Sequence, residues 1–169
     1  MSTVSDQHRQ ASPQRVGCAV VTISDTRTWD TDTGGQELAR RLVEAGHDVI
    51  SRHIVPDDPS QLGPLLVSLC DQHGIDAVLM TGGTGVSSRD QTYETVTNLL
   101  TKPIPGYGEL FRMLSFEVIG PAAMLSRATG GVLNRTVVLT MPGSPAAISL
   151  AMEKIILPEL GHLVREARR

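Results

Sequence analysis

The sequence predicts an α/β fold, a mostly parallel sheet with helices on both faces. Apolar, β-branched runs alternate with helical stripes, in the order strand, helix, strand, helix, strand, helix, helix, strand, helix. The runs at 16–23, 75–80 and 136–141 are apolar throughout, as strands covered on both faces are. The four predicted strands end in polar or glycine-rich loops at Ser24, Pro56, Thr81 and Pro142. Open α/β sheets bind ligands outside the carboxyl ends of their strands, which makes these loops the place to look for function.

Each element has its own signals. Residues 16–23 form the first strand. A helix over 33–45 follows: Thr33 caps it with Gln36 three residues on, Leu38, Leu42 and Val43 form its stripe, and Gly46 stops it. Residues 47–55 alternate as a strand, with Val49, Ser51, His53 and Val55 on one face. Asp58-Pro59 signals a helix start, and Leu62, Leu65, Leu66, Leu69 and Cys70 mark a helix that ends at Gly74. Pro64 fits that helix only if it begins near Leu62. Residues 75–80 are a buried strand, 92–100 a third helix, and 103–106 a break before a fourth helix over 110–118. After the strand at 136–141, a long helix runs from Pro145 to about Arg168 and kinks at Pro158.

A length of 169 residues argues for a single domain, here 15–169, behind a polar, flexible tail at 1–14. The net charge of −3 offers no general attraction to nucleic acid or an anionic membrane. Aromatic residues at 3% make a stacking surface for single strands improbable on composition, so no nucleic-acid partner is expected. Two cysteines exclude a disulfide framework, and no Cys/His cluster suits zinc. No apolar stretch approaches the roughly 20 residues that span a bilayer, and the N-terminus lacks a secretory pattern. A cytoplasmic protein with no membrane partner is the expectation. With 13 arginines and only two lysines, backbone amides and arginines must do most of any phosphate handling, unless the bias merely reflects genomic base composition.

Several loops carry chemistry. Gly82, Gly83 and Gly85, with Thr84 between them, allow positive φ and several convergent N–H groups, which make either an anion-binding nest or a tight turn. Neither a Walker A loop nor a dinucleotide fingerprint is completed: no GK[ST] follows, and Ser88 stands where a third glycine belongs. Asp90 suits a Mg²⁺ ion shared with phosphates, or a cap for the helix at Thr92. Asp58 reads as an N-cap. Asp57 shows no such duty and is the better catalytic candidate, with a solvated turn as the alternative. Pro142, Gly143 and Ser144 lead into Pro145, a helix start whose free N–H groups point into the cleft or simply cap well. Glu109 fits the dipole of the fourth helix, and Arg127, beside Ser126, suits phosphate or open surface. His53 and His162 lack partners at metal-ligand spacing and read as structural, and Cys18 and Cys70 as small hydrophobes.

These stretches together resemble the MoaB/MogA family of molybdenum cofactor biosynthesis, to which the gephyrin G domain is related. The matching motifs are VTISDTR at 21–27, VPDD at 55–58, TGGTG at 81–85, RD at 89–90, PGYGELFR at 105–112, SRA at 126–128 and PGSP at 142–145. The stretch at 112–116 and the short length look like the MoaB branch. Tyr93 stands where the family usually has proline, and Val118 where an acid is common. The resemblance implies a molybdopterin-binding α/β fold, assembled as trimers or hexamers of paired trimers. It implies transfer of AMP from Mg-ATP to the molybdopterin phosphate, with pyrophosphate released. Gly82, Gly83, Thr84, Gly85, Pro142, Gly143 and Ser144 would then hold the nucleotide. Asp57 and Asp90 would serve Mg²⁺ and the reaction, and Ser24, Asp25, Thr26, Glu109, Ser126 and Arg127 would surround the pterin pocket. The alternative is a non-catalytic molybdopterin- or nucleotide-binding scaffold that works with other proteins of the same pathway. The Leu/Met/Phe-rich segment 110–125 reads either as an ordinary core helix plus a loop or as apolar surface beyond what one subunit buries, and the resemblance implies the second, with part of it at the subunit contact.

Overall fold

The structure is a computed structural model that describes residues 12–169. A six-stranded sheet runs in the order β2-β1-β3-β6-β5-β4. Its strands are β1 (Gly17–Ile23), β2 (Asp48–Val55), β3 (Ala77–Thr81), β4 (Lys102–Pro103), β5 (Gly130–Leu133) and β6 (Thr136–Met141). β2, β1, β3 and β6 pair in parallel, while β5 and β4 extend the sheet antiparallel. The helices are α1 (Thr33–Glu44), α2 (Pro59–Asp71), α3 (Thr92–Leu99), α4 (Pro105–Ile119), α5 (Pro145–Ala151) and α6 (Leu157–Ala167). The expected mostly parallel α/β fold is therefore present. Of the expected tail, residues 1–11 lie outside those described. Pro13 already packs its carbonyl against Gly161 of α6, so ordered contacts begin upstream of Arg15.

The pleat sorts the central strands into two cores. Cys18 and Val20 of β1, Leu79 of β3 and Leu139 of β6 face α1, α4, α5 and α6, through Leu38, Leu42, Phe111, Ile148 and Leu160. Their neighbours Ala19, Val21, Val78, Met80 and Val138 face α2 and α3, through Leu62, Leu66, Leu69 and Val96. That is why β1, β3 and β6 read as unbroken apolar runs: both faces are covered. β2, at the sheet edge, is only half-buried. Burial pushes the Cys18 and Cys70 thiols up to about 12, in keeping with inert core positions. Among the described residues no helix is long and apolar enough to cross a membrane.

The structure corrects several local expectations. Asp32, not Thr33, caps α1: its Oδ1 accepts from Gly35 N at 2.9 Å, and Thr33 is already helical. Gly35, Leu38 and Leu42 make the buried stripe, while Val43, a further 100° round the helix, is exposed. α2 begins at Pro59 under the expected Asp58 cap, so Pro64 lies inside it. The hydrogen bond Pro64 cannot make belongs to the carbonyl of Ser60, an exposed residue where water can serve instead. α4 starts at Pro105, which takes the first helical position, rather than near Leu110. β4 and β5 were not expected. Asn134, at φ 57°, turns the tight β5–β6 hairpin. The long helix expected from Pro145 is interrupted by a π turn at Met152–Ile156, just before Pro158, which accommodates the missing donor.

Leu139 of β6 is fully buried at the centre of the larger core. Leu139→Ala is expected to lower stability by about 3 kcal/mol with the dependence on urea unchanged, measured by equilibrium unfolding.

Candidate functional site

The loops after β1, β2, β3 and β6 meet at one edge of the sheet. Ser24 N–H donates to Val55 O at 2.9 Å, and Gly82 N–H to Met141 O at 3.0 Å. Gly82 has φ 105°, and a Cβ there would overlap the Ile23 carbonyl. Gly83 has φ 64°, and its Cβ would stand 2.5 Å from Asp57 Oδ2 and overlap the Thr92 hydroxyl. Left-handed backbone and this crowding demand glycine at both positions. A Cβ on Gly85 would lie 2.7 Å from Asp90 Oδ2.

Asp57 does more than the sequence suggested. It is 6% exposed, and its carboxylate accepts from Gln91 N at 3.1 Å and from the Thr92 hydroxyl at 2.9 Å. It therefore holds the start of α3 from a loop 34 positions upstream, a capping duty expected of Asp90 and not of Asp57. Burial pushes the Asp57 carboxyl above its ordinary value, opposed by those two donors, and the neighbouring Asp90 charge adds to the rise. Asp90 instead closes its own turn, Oδ2 accepting from Ser87 N at 2.9 Å.

Arg127 is likewise engaged from within. Its Nε donates to Gly85 O at 2.6 Å and its Nη2 to Asp90 O at 2.9 Å. Nη1 pairs with Glu94, and the guanidinium lies over the Tyr93 ring, 5.2 Å from its centre. This arginine braces the glycine loop against α3 and at the same time lines a cleft beside it.

Three adjoining clefts open along this edge. The first, about 300 Å³, is lined by Ser24, Thr26, Arg27, Asp32, Gly82 and Gly143. The second, about 310 Å³, shares Gly143 and adds Gly83, Thr84, Gly85, Asp90, Pro142 and Ser126. The third, about 610 Å³, shares Ser126 and is lined by Glu109, Arg112, Arg127 and Tyr93. Most sequence-predicted residues therefore share one continuous surface. Three do not line it. Asp57 sits behind Gly83; Asp25 is held by Arg89; and Ser144 caps α5, accepting from Ala147 N at 3.3 Å, and lines a groove beside α4.

Sequence reasoning missed Asp32, which is 1% exposed and accepts from Thr22 Oγ1 at 2.9 Å and from Arg52 Nη2 at 2.8 Å. The signal for it was present, an Asp three residues before a glycine at a helix start. Glu94 and Arg112 were also missed. Arg112 donates to Ala128 O at 3.2 Å and carries the wall of the third cleft. His53, whose Nε2 lies 3.0 Å from Ser51 Oγ, and His162, 3.0 Å from Glu159, are away from these clefts. Among the described residues no cluster of three or more His, Cys, Asp or Glu side chains is arranged to hold a metal ion.

A mostly parallel sheet with a glycine-lined, carboxylate-flanked cleft at its strand ends defines a ligand-binding domain of the α/β class. A family model described as "Probable molybdopterin binding domain" matches residues 19–162. The chain belongs to that family, the MoaB/MogA family of molybdenum cofactor biosynthesis proteins. It is 51% identical to the molybdenum cofactor biosynthesis protein B of Bacillus cereus over 164 residues, covering 96% of this chain and 97% of the relative. A crystal structure of a molybdenum cofactor biosynthesis protein B superposes with a TM-score of 0.90 at 52% identity, over 94% of this chain and 99% of the other. The tungsten cofactor synthesizing protein MoaB from Pyrococcus furiosus superposes with a TM-score of 0.83 at 32% identity, over 94% and 100% of the two chains.

The raised Asp57 carboxyl has a pH signature. Such a group favours the folded state while protonated; the advantage is complete below the unfolded pKa of about 4 and is lost as pH rises through the folded value. Wild-type stability is therefore expected to gain on Asp57→Asn as pH falls from neutral toward about 4, read from urea midpoints; a difference constant with pH would contradict it.

Proposed function

We propose that this chain is a molybdopterin adenylyltransferase, transferring AMP from Mg-ATP to the terminal phosphate of molybdopterin. The observation that carries the reading is the glycine loop, with positive φ at Gly82 and Gly83 and the Asp57 and Asp90 carboxylates against Gly83 and Gly85. Backbone amides in such a loop suit phosphate oxygens. In the transfer, a pterin phosphate oxygen bonds to the α-phosphorus of ATP, and the bond from that phosphorus to the β-phosphate oxygen breaks. The attacking oxygen is already ionised, so the chain needs no serine or cysteine nucleophile. Its own part is to position two phosphates in line and balance their charge. The second cleft suits the nucleotide phosphates, and the third, the roomiest, suits the pterin.

Asp90, which lines the second cleft, fits a Mg²⁺ ion delivered with the nucleotide. Asp57 and Asp90 flank one loop and repel each other, and an ion with one or two carboxylate ligands takes its others from phosphate and water. When bound, Mg²⁺ neutralises phosphate charge. Asp57, behind Gly83, acts chiefly by fixing the loop and the start of α3; Asp90 lines the cleft itself. The engagement of Asp57 and Arg127 in internal contacts also suits the second reading, a non-catalytic molybdopterin- or nucleotide-binding scaffold. Mass spectrometry of AMP transfer to purified molybdopterin separates the two. Asp90→Asn is expected to cut Mg-dependent transfer at least about 100-fold in a folded protein. Unchanged turnover with ordinary Mg²⁺ dependence would remove Asp90 from the mechanism.

Assembly belongs to the same reading. α4 buries Tyr107, Phe111 and Ser115 and turns Leu110, Met113 and Phe116 outward, with Ile119 and Met124 exposed beside them. An apolar face of this kind marks an interface, and a closed ring repeats one heterologous contact. A trimer, or a hexamer of paired trimers, is expected. Light scattering near the 18.1 kDa of one chain at micromolar concentration would reject it. Met113, 54% exposed in the single chain, makes Met113→Asp a test that leaves the fold intact and lowers the mass to that of one chain.

A further inference from the structure

Of the arginines around the strand-end loops, Arg52 and Arg127 are tied to fixed parts of the fold. Arg52 pairs with the buried Asp32 at 2.8 Å and lies 5.5 Å from the Trp29 ring centre. Arg127 braces the glycine loop through Gly85 O and Asp90 O. Arg27 donates to the Thr31 carbonyl of its own loop at 2.9 Å. Arg89 differs. Its guanidinium grips Asp25 through Nε to Oδ2 and Nη2 to Oδ1, both at 2.8 Å. The two side chains are 64% and 39% exposed. Asp25 sits between Ser24 and Thr26 of the first cleft, and Arg89 precedes Asp90 of the second. Neither side chain lines a cleft itself; the pair links the residues next in sequence to the linings of two clefts that share Gly143.

We propose that Arg89 is a phosphate-binding residue whose place is held by Asp25: its guanidinium leaves Asp25 for the terminal phosphates of an incoming polyphosphate. The guanidinium fork meets a carboxylate and a phosphate with the same two parallel hydrogen bonds, so the exchange keeps its geometry. An exposed ion pair is worth little, which makes Asp25 a displaceable partner. Arg89 stands just before Asp90 of the second cleft, beyond the glycine loop, so a row of phosphates that starts on the loop reaches it while a single phosphate held on the loop leaves the pair undisturbed; the exchange therefore selects polyphosphates over monophosphates. Asp25 becomes an internal competitor of the ligand instead of a contact to it. The inference rests on the reading of the glycine loop as a phosphate site.

Calorimetry on the full chain with Mg-ATP, Mg-pyrophosphate and inorganic phosphate tests it, using wild type, Arg89→Ala, Asp25→Asn and Asp25→Ala, each checked for folding by circular dichroism. Arg89→Ala is expected to weaken ATP and pyrophosphate about tenfold and to leave inorganic phosphate nearly unchanged. Both Asp25 variants are expected to tighten the same two ligands about threefold. If the Asp25 variants weaken binding as Arg89→Ala does, the pair is a structural strap and the exchange is rejected. If wild type binds polyphosphate and every variant matches it, Arg89 makes no ligand contact; the exchange fails and the phosphate site stands. If wild type binds neither polyphosphate, the phosphate site fails and the exchange with it.

Discussion

The geometry of the strand ends depends on one close approach. Gly82 leaves β3 with its N–H bonded to Met141 O, its α-carbon face against the Ile23 carbonyl, and Gly143 beside it. Three strands are thereby locked at one point, with no room for a side chain. Gly83 takes the next step of the turn only because φ is positive twice in succession. Everything that lines the clefts follows from where this turn puts the backbone: Asp57 behind it, Asp90 beyond it, and Arg127 holding its carbonyls from the far side.

Charge around that turn is balanced pair by pair. Asp32 is met by Arg52, Asp25 by Arg89 and Glu94 by Arg127, while Asp57 lies buried among donors. These pairs differ in depth. Asp32 and Asp57 are nearly inaccessible, and a partner removed there would leave a buried group unsatisfied, a costly change. Asp25 and Arg89 meet in solvent, where partners exchange at small cost. The fold thus separates charges that set its shape from charges free to respond to a ligand.

Much of this was legible in the sequence, for physical reasons that also explain the failures. β1, β3 and β6 showed as apolar runs because both of their faces are covered, and the loops after them could be placed at one edge by topology alone. The positive φ at Gly82 and Gly83 followed from composition. Contacts between distant segments left no local trace: nothing near Asp57 announces that Gln91 and Thr92 depend on it, and nothing near Arg127 points to Gly85. β5, Gly-Gly-Val-Leu, is too short and too glycine-rich to stand out, and two-residue β4 exists only because β5 offers it an edge. Asp32 lost to Thr33 because both residues suit a cap, and only the fold brings Thr22 and Arg52 to the aspartate.

The β5–β6 hairpin bears on how the chain reaches this state. Leu133 faces Thr136 across a turn led by Asn134, whereas Cys18 must find Ala77 and Ala77 must find Val137 across long intervening chain. Closing the short loop costs little entropy and is fast, which favours formation of the hairpin ahead of the parallel pairings. β6 then enters the sheet with one edge already occupied and only one left to recruit β3. For the buried strand β6, such an order of assembly halves the open edge through which another chain might pair, and so lowers the risk of aggregation during synthesis.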